Sequence, residues 1–230
     1  MTSPLDNPIW AALTGPQAGF AERVGDAARY PADVSLFCGI AGPDGWSSLY
    51  LLAGPGQEVY MSGPYLSPPP GWATTFRMGG VQLTGERVEG RAFASAEVLG
   101  PADVPEMLDL VERTKPGPFR KRTIELGLYL GVRRAGRLAA MAGTRLRLPG
   151  GWTEISAICT DPAYRGQGLA ERLTLAVAHD IQARGEKPFL ATLATNANAI
   201  RLYQRLGFEH RQDVEFTAFR SPHEHMRRPR

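Results

Sequence analysis

Residues 152–194 constrain the fold more than any other part of the chain. The run "WTEISAICT" (152–160) alternates like a strand, and "DPAYRGQGLAERL" (161–173) then crowds two glycines and an arginine into a turn that leads directly into a helix. Leu169, Leu173, Val177 and Ile181 recur at four-residue intervals on one face of that helix, Gly185 stands where a helix ends, and "PFLATLA" (188–194) is a short apolar strand. Strand, helix and strand in this order make a right-handed βαβ unit with parallel strands, whose ligand loops lie at the strand C-terminal ends. The glycine turn is one of those loops.

Glycines at a helix start leave backbone N–H groups open, and donors in a first helical turn have no partner within the helix. Such a turn suits a phosphate. Arg165 adds a permanent charge that can steady the anion or close the loop on its own carbonyls. Spacing excludes two familiar phosphate loops: no Gly-Lys-Ser/Thr follows, and the last glycine of a dinucleotide fingerprint is replaced by Glu171. What remains is Arg165-x-x-Gly168-x-Ala170.

Around this unit, residues 91–99 read as a strand, 102–114 as a helix with Ala102, Met107, Leu108 and Val111 on its apolar side, and 126–148 as two strands about a turn at Arg134-Ala135-Gly136. After 194, "NAIRLYQRL" reads as a helix ending at Gly207 and "VEFTAFR" as a last strand. The first ninety residues suggest an α+β lobe: a helix over 16–30, then strands at 34–40, 47–53, 58–63 and 79–85. The expected organisation is an N-terminal lobe over 1–90, a main domain over 91–220 and a basic tail over 221–230. In the tail, His223, Glu224 and His225 have the spacing of a solvated terminus rather than a metal site.

The motif Arg165-x-x-Gly168-x-Ala170 resembles the signature of the GNAT superfamily of acetyl-CoA-dependent N-acetyltransferases, Arg/Gln-x-x-Gly-x-Gly/Ala between a central strand and the following helix. A second motif of that family resembles "TNANAIRLYQRLGFEHR" at Asn196, Ala199, Tyr203, Gly207 and Phe208. The resemblance covers about residues 91–220 and implies an α+β fold, a central mixed sheet flanked by helices with a parallel pair around the acyl-CoA site. The first lobe resembles a degenerate opening half of the same fold.

The resemblance also implies roles. Backbone groups of Ile158, Cys159 and Thr160 would face the pantetheine arm, and Arg165, Gly166, Gln167, Gly168, Leu169 and Ala170 would hold the pyrophosphate of acetyl-CoA (coenzyme A), the co-substrate. Tyr203 matches the family tyrosine that protonates the departing thiolate, and Glu154 stands where several members place the base for the amine. Asn196 would cap its helix or bond the cofactor arm. Cys159 reads as packing rather than as a nucleophile, and no metal is expected.

The implied reaction is direct transfer of acetyl from the thioester to a primary amine, the acceptor being a small-molecule amine or a protein amino group. The alternative is a non-catalytic acyl-CoA-binding or sensing module. Trp10, Tyr60 and Trp72 are candidates for the acceptor wall, together with the 102–114 helix and the hairpin near 134. A formal charge of +3, carried by 26 basic residues spread without a cluster, suggests an anionic ligand and no nucleic-acid partner. No apolar run reaches membrane-spanning length, so no membrane partner is expected and a cytoplasmic protein is, with a homodimer allowed.

Overall fold

The computed structural model describes residues 3–223; Glu224 and His225 of the tail lie outside the described residues. In chain order the elements are α1 (Pro8–Leu13), β1 (Glu22–Val24), β2 (Ala27–Arg29), β3 (Cys38–Ile40), α2 (Gly45–Ala53), β4 (Glu58–Met61), β5 (Ala73–Thr84), β6 (Glu97–Val98), α3 (Val104–Thr114), β7 (Tyr129–Arg134), β8 (Arg137–Leu148), β9 (Trp152–Thr160), α4 (Leu169–Ala183), β10 (Lys187–Leu193), α5 (Ala197–Arg205) and β11 (Glu209–Arg220). Strands β1, β2 and β3 form a small antiparallel sheet. The other eight form one mixed sheet in the order β4-β11-β5-β10-β9-β8-β7-β6, with β9 and β10 its parallel pair.

Period-two alternation sends neighbouring side chains of this sheet to opposite faces. Ala140, Ala142, Ile155 and Leu190 meet Leu169, Leu173, Val177 and Ile181 of α4 and Tyr203 of α5 on one face. Leu146, Leu148 and Phe189 meet Ile9 and Leu13 of α1 on the other, while Met107 and Leu110 of α3 pack against Leu138 and Met141. A fourth apolar group joins Trp46 and Leu49 of α2 to Val59, Trp72 and Phe219.

Three expectations need correction. Residues 16–30, expected as a helix, form a short 3-10 turn and the β1–β2 hairpin, whose two-residue Gly25-Asp26 turn has Gly25 at φ 49°. Residues 47–53, expected as a strand, belong to α2, where Trp46, Leu49 and Tyr50 fall on one buried helical face. Of the strand expected over 91–99 only Glu97–Val98 pairs. Upstream, Gly90 N–H donates to Gln182 Oε1 and Arg91 N–H to the Leu175 carbonyl, so α4 takes the hydrogen bonds a strand neighbour would have taken.

The expected break at residue 90 does not coincide with a break in the sheet. β5, from the first ninety residues, is hydrogen-bonded along β10 on one side and along nearly all of β11 on the other. Gln82 on β5 reinforces the connection, donating to the Leu5 carbonyl and accepting from Arg211.

Candidate active site

The centre of the site is a place where the sheet opens. Strands β9 and β10 pair through Trp152–Lys187, Thr153–Pro188 and Glu154–Phe189, and their pairing ends there. Each keeps its outer neighbour: β8 follows β9 as far as Thr160, and β5 follows β10 as far as Leu193. The separation is aided by a bulge in β9, where the register against β8 shifts between Ser156 and Cys159 and Ala157 sits at φ 53°. A slot therefore opens between 155–158 and 190–193.

The glycine turn lies at the end of the same strand. Gly166 and Gly168 have φ of 77° and 71°, a left-handed backbone that a Cβ would strain, and a Cβ added at Gly166 would meet nothing within 4 Å. The turn is held from beneath: Asp161 Oδ1 accepts from Ala163 N–H, Asp161 pairs with Arg113 of α3, and Arg165 Nε donates to the Thr160 carbonyl at 3.3 Å. Of the two tasks open to Arg165, it performs the loop-closing one here.

A cavity of about 870 Å³ runs along the turn and α5. It is lined by Ile158, Cys159, Thr160, Arg165, Gly166, Gly168, Leu169, Ala170 and Asn196, whereas Gln167 is exposed and off its wall. Sequence reasoning missed two cations on this wall, Arg201 and Arg205, whose i, i+4 spacing puts both on one face of α5. The arrangement fits a diphosphate-bearing ligand: open backbone at a helix start, side-chain cations opposite, and small residues that admit close approach. Asn196 caps α5, its Oδ1 accepting from Ala199 N–H at 3.3 Å, and also lines the cavity.

A second cavity, of about 420 Å³, occupies the slot and shares Ile158, Ala191, Thr192, Leu193, Asn196 and Tyr203 with the first. It reaches from Tyr203 on the α4 face to Phe37, Tyr60 and Arg145 on the opposite face, so it passes between the strands. The loop Lys115-Pro116-Gly117-Pro118 and Phe216 of β11 complete the wall, neither foreseen from sequence although the Pro-Gly-Pro run after a helix marks a rigid loop. Tyr60 lines this cavity as expected. Trp10 does not, lying half-buried beneath the Arg23 guanidinium, and Trp72 is packed edge-on against Trp46.

Tyr203 is 7% exposed, stacks edge-on against Phe208, and burial pushes its hydroxyl up to about 12, so it stays protonated. Its hydroxyl makes no hydrogen bond among the described residues. Glu154 is placed differently. It is 3% exposed and lies on the sheet face opposite Tyr203, where Arg145 Nε and Nη2 donate to its two oxygens at 2.8 Å each. Arg145, not Glu154, reaches the slot cavity; its guanidinium stacks on Phe37 at 4.8 Å. Cys159 is buried, which pushes its thiol up to about 11 despite a hydrogen bond with Thr114.

Residues 129–217 match the model of the FR47-like protein family. A solved structure assigned to the GNAT family of acetyltransferases, from Novosphingobium aromaticivorans, is 38% identical and superposes with a TM-score of 0.88 over 95% of this chain and 98% of that one. The chain belongs to the GNAT superfamily of N-acetyltransferases. Among curated relatives, the N-alpha-acetyltransferase RimI of Mycobacterium tuberculosis is 40% identical over 83 residues, 35% of this chain and 51% of that one. The [ribosomal protein bS18]-alanine N-acetyltransferase of Escherichia coli is 30% identical over 112 residues, 46% of this chain and 74% of that one. The first curated relatives are thus matched over 23% to 51% of their own length. The splayed parallel pair and the glycine turn fall within residues 129–217, the part matched by the family model, whereas β4, β5 and β6 of the same sheet lie outside it. No helix among the described residues is long and apolar enough to cross a membrane.

Proposed function

We propose that this GNAT protein transfers acetyl from acetyl-CoA to a primary amine by direct attack of the amine nitrogen on the thioester carbonyl. The observation that carries the reading is the meeting of the two cavities at Ile158, Asn196 and Tyr203: a phosphate-suited groove on one sheet face opens through a slot into a largely apolar chamber on the other. Donor and acceptor enter from opposite faces and meet between the strands.

In this reading the backbone of 166–170 binds the pyrophosphate, with Arg201 and Arg205 beside it and Arg165 keeping the turn closed. The strand edge at Ile158–Thr160, left without a partner by the splay, presents main-chain groups to the pantetheine amides. A C–N bond forms as the C–S bond breaks, and the Tyr203 hydroxyl gives its proton to the leaving thiolate. Glu154 acts as a positioning residue: both of its oxygens are taken by Arg145, which it holds at the chamber wall. The amine's proton leaves to water, from which the Tyr203 phenolate regains the proton it gave, since among the described residues no Asp, Glu or His lines the chamber.

Titration calorimetry with acetyl-CoA, followed by thiol release over a panel of amines, tests the reading. Binding with release supports it. No binding of acetyl-CoA at any concentration up to the millimolar range would sink it.

A further inference from the structure

We infer that the acceptor is a monoamine built like a hydrophobic amino acid, an aromatic or branched apolar body bearing a carboxylate next to the amine. The inference rests on the acetyl-transfer reading above and names the substrate class of that same chamber.

Three observations on the chamber wall point to the apolar body. The wall contributed by the first ninety residues is aromatic and apolar, Phe37, Tyr60, Met61 and Phe76, and Phe216 of β11 adds to it. Phe76 is 41% exposed, one of few large apolar side chains so placed, and it sits on this rim where a bound apolar group would cover it. A chamber of about 420 Å³ has room for one ring or branched chain beside its aromatic wall.

The charged residues on the wall are both cations, Arg145 and Lys115, with no carboxylate among the described lining residues. A diamine, polyamine or aminoglycoside would bring a second positive charge to a wall that has nothing to pair it. A carboxylate, by contrast, has a partner ready. Arg145 spends Nε and Nη2 on Glu154 and lies over the Phe37 ring, while its Nη1 makes no hydrogen bond among the described residues. Glu154 and Phe37 therefore leave one edge of a pre-oriented guanidinium for an oxygen acceptor, at little further ordering cost.

The test uses the full chain, acetyl-CoA and thiol release. Phenylalanine and leucine are compared with phenethylamine and isoamylamine, which lack the carboxylate, and with spermidine and glucosamine. The expected order is amino acid, then apolar amine, then polycation or sugar, with kcat/KM falling about tenfold or more at each step. Phe76→Ser, a rim change away from the core, is expected to raise KM for phenylalanine about tenfold and leave KM for acetyl-CoA unchanged. Arg145→Lys is expected to erase the preference for phenylalanine over phenethylamine. Preference for spermidine or glucosamine, or equal rates with and without the carboxylate, would overturn the inference while leaving acetyl transfer intact. Absence of acetyl-CoA binding by calorimetry would overturn both, and that result is separate from any order within the panel.

Discussion

Arg145 and Glu154 form a two-pronged ion pair in the middle of the molecule, with side-chain exposures of 12% and 4%. A pair this dry contributes little net stability as a unit, yet removing one member strands the other. Glu154→Leu is expected to cost ~3–5 kcal/mol in urea unfolding, and the double variant Arg145→Met, Glu154→Leu to regain most of it. If Glu154→Gln, which keeps one acceptor oxygen, lost turnover with no change in the unfolding midpoint, the positioning role assigned to Glu154 would give way to a direct one.

Tyr203→Phe keeps the packing against Phe208 and removes only the hydroxyl. Single-turnover rates with a good acceptor should fall by about 10²–10⁴, with acetyl-CoA affinity nearly unchanged. Because the folded hydroxyl titrates near 12 against an unperturbed 10.0, the neutral form that donates the proton is intact up to pH 10. The same burial contributes stability that is complete below pH 10 and is lost as pH rises through about 12. A wild-type rate that fell with an apparent pKa near 8 would need another acid.

Gly168 begins α4 with φ at 71°. Gly168→Ala should cost ~1–2 kcal/mol in folding stability, the ordinary penalty of a left-handed backbone. Gly168→Asn should cost less, since asparagine visits that region more readily. Acetyl-CoA affinity measured on both by calorimetry should fall more than stability does, because either side chain intrudes on the pyrophosphate cradle.

Ala157 is strained at φ 53° within the β9 bulge. Ala157→Gly removes ~1–2 kcal/mol of strain and adds ~0.4–1 kcal/mol of freedom to the unfolded chain. The net expectation is a melting temperature equal to or slightly above wild type, whereas Ala157→Val should melt well below it because a β-branched residue tolerates this region worst. A stabilising valine would mean that the bulge is not rigid.

Both cysteines are buried, and burial pushes Cys38 to about 12 and Cys159 to about 11. Native protein at pH 8 should therefore resist iodoacetamide, and Cys159→Ala should retain turnover, as direct transfer requires. Covalent acetyl on Cys159 in a rapidly quenched reaction would contradict that.

The segment around the glycine turn was legible because each step of it is local. Leu169 to Ile181 carry the helical period, Gly185 ends the helix, and Asn196 to Phe208 repeat the same grammar with a capping side chain. The first ninety residues misled for an equally physical reason. In 16–30 the alanines mimic a helical stripe, and the Gly25-Asp26 turn that makes a hairpin is a two-residue signal within fifteen. In 47–53 the apolar run Leu49 to Leu52 hid the one-sided burial of Trp46, Leu49 and Tyr50. The chamber was the least legible part, since Tyr60, Phe76, Arg145 and Phe216 are brought together only by the order of strands in the sheet, and Phe37 joins them only through an isolated bridge to Tyr60. Glu154 was found by position along β9, but its partner Arg145 lies on the neighbouring strand, nine residues away in sequence.

The insertion of β5 between β10 and β11 has a consequence for synthesis. On the ribosome, residues 73–84 leave the exit tunnel long before either strand that will flank them, as a segment with two open edges. The sheet that carries the glycine turn closes only when the final strand has been released. A translation product halted before residue 209 would hold the turn and its helix yet leave β5 one-sided, an open strand edge until the last dozen residues of the sheet arrive.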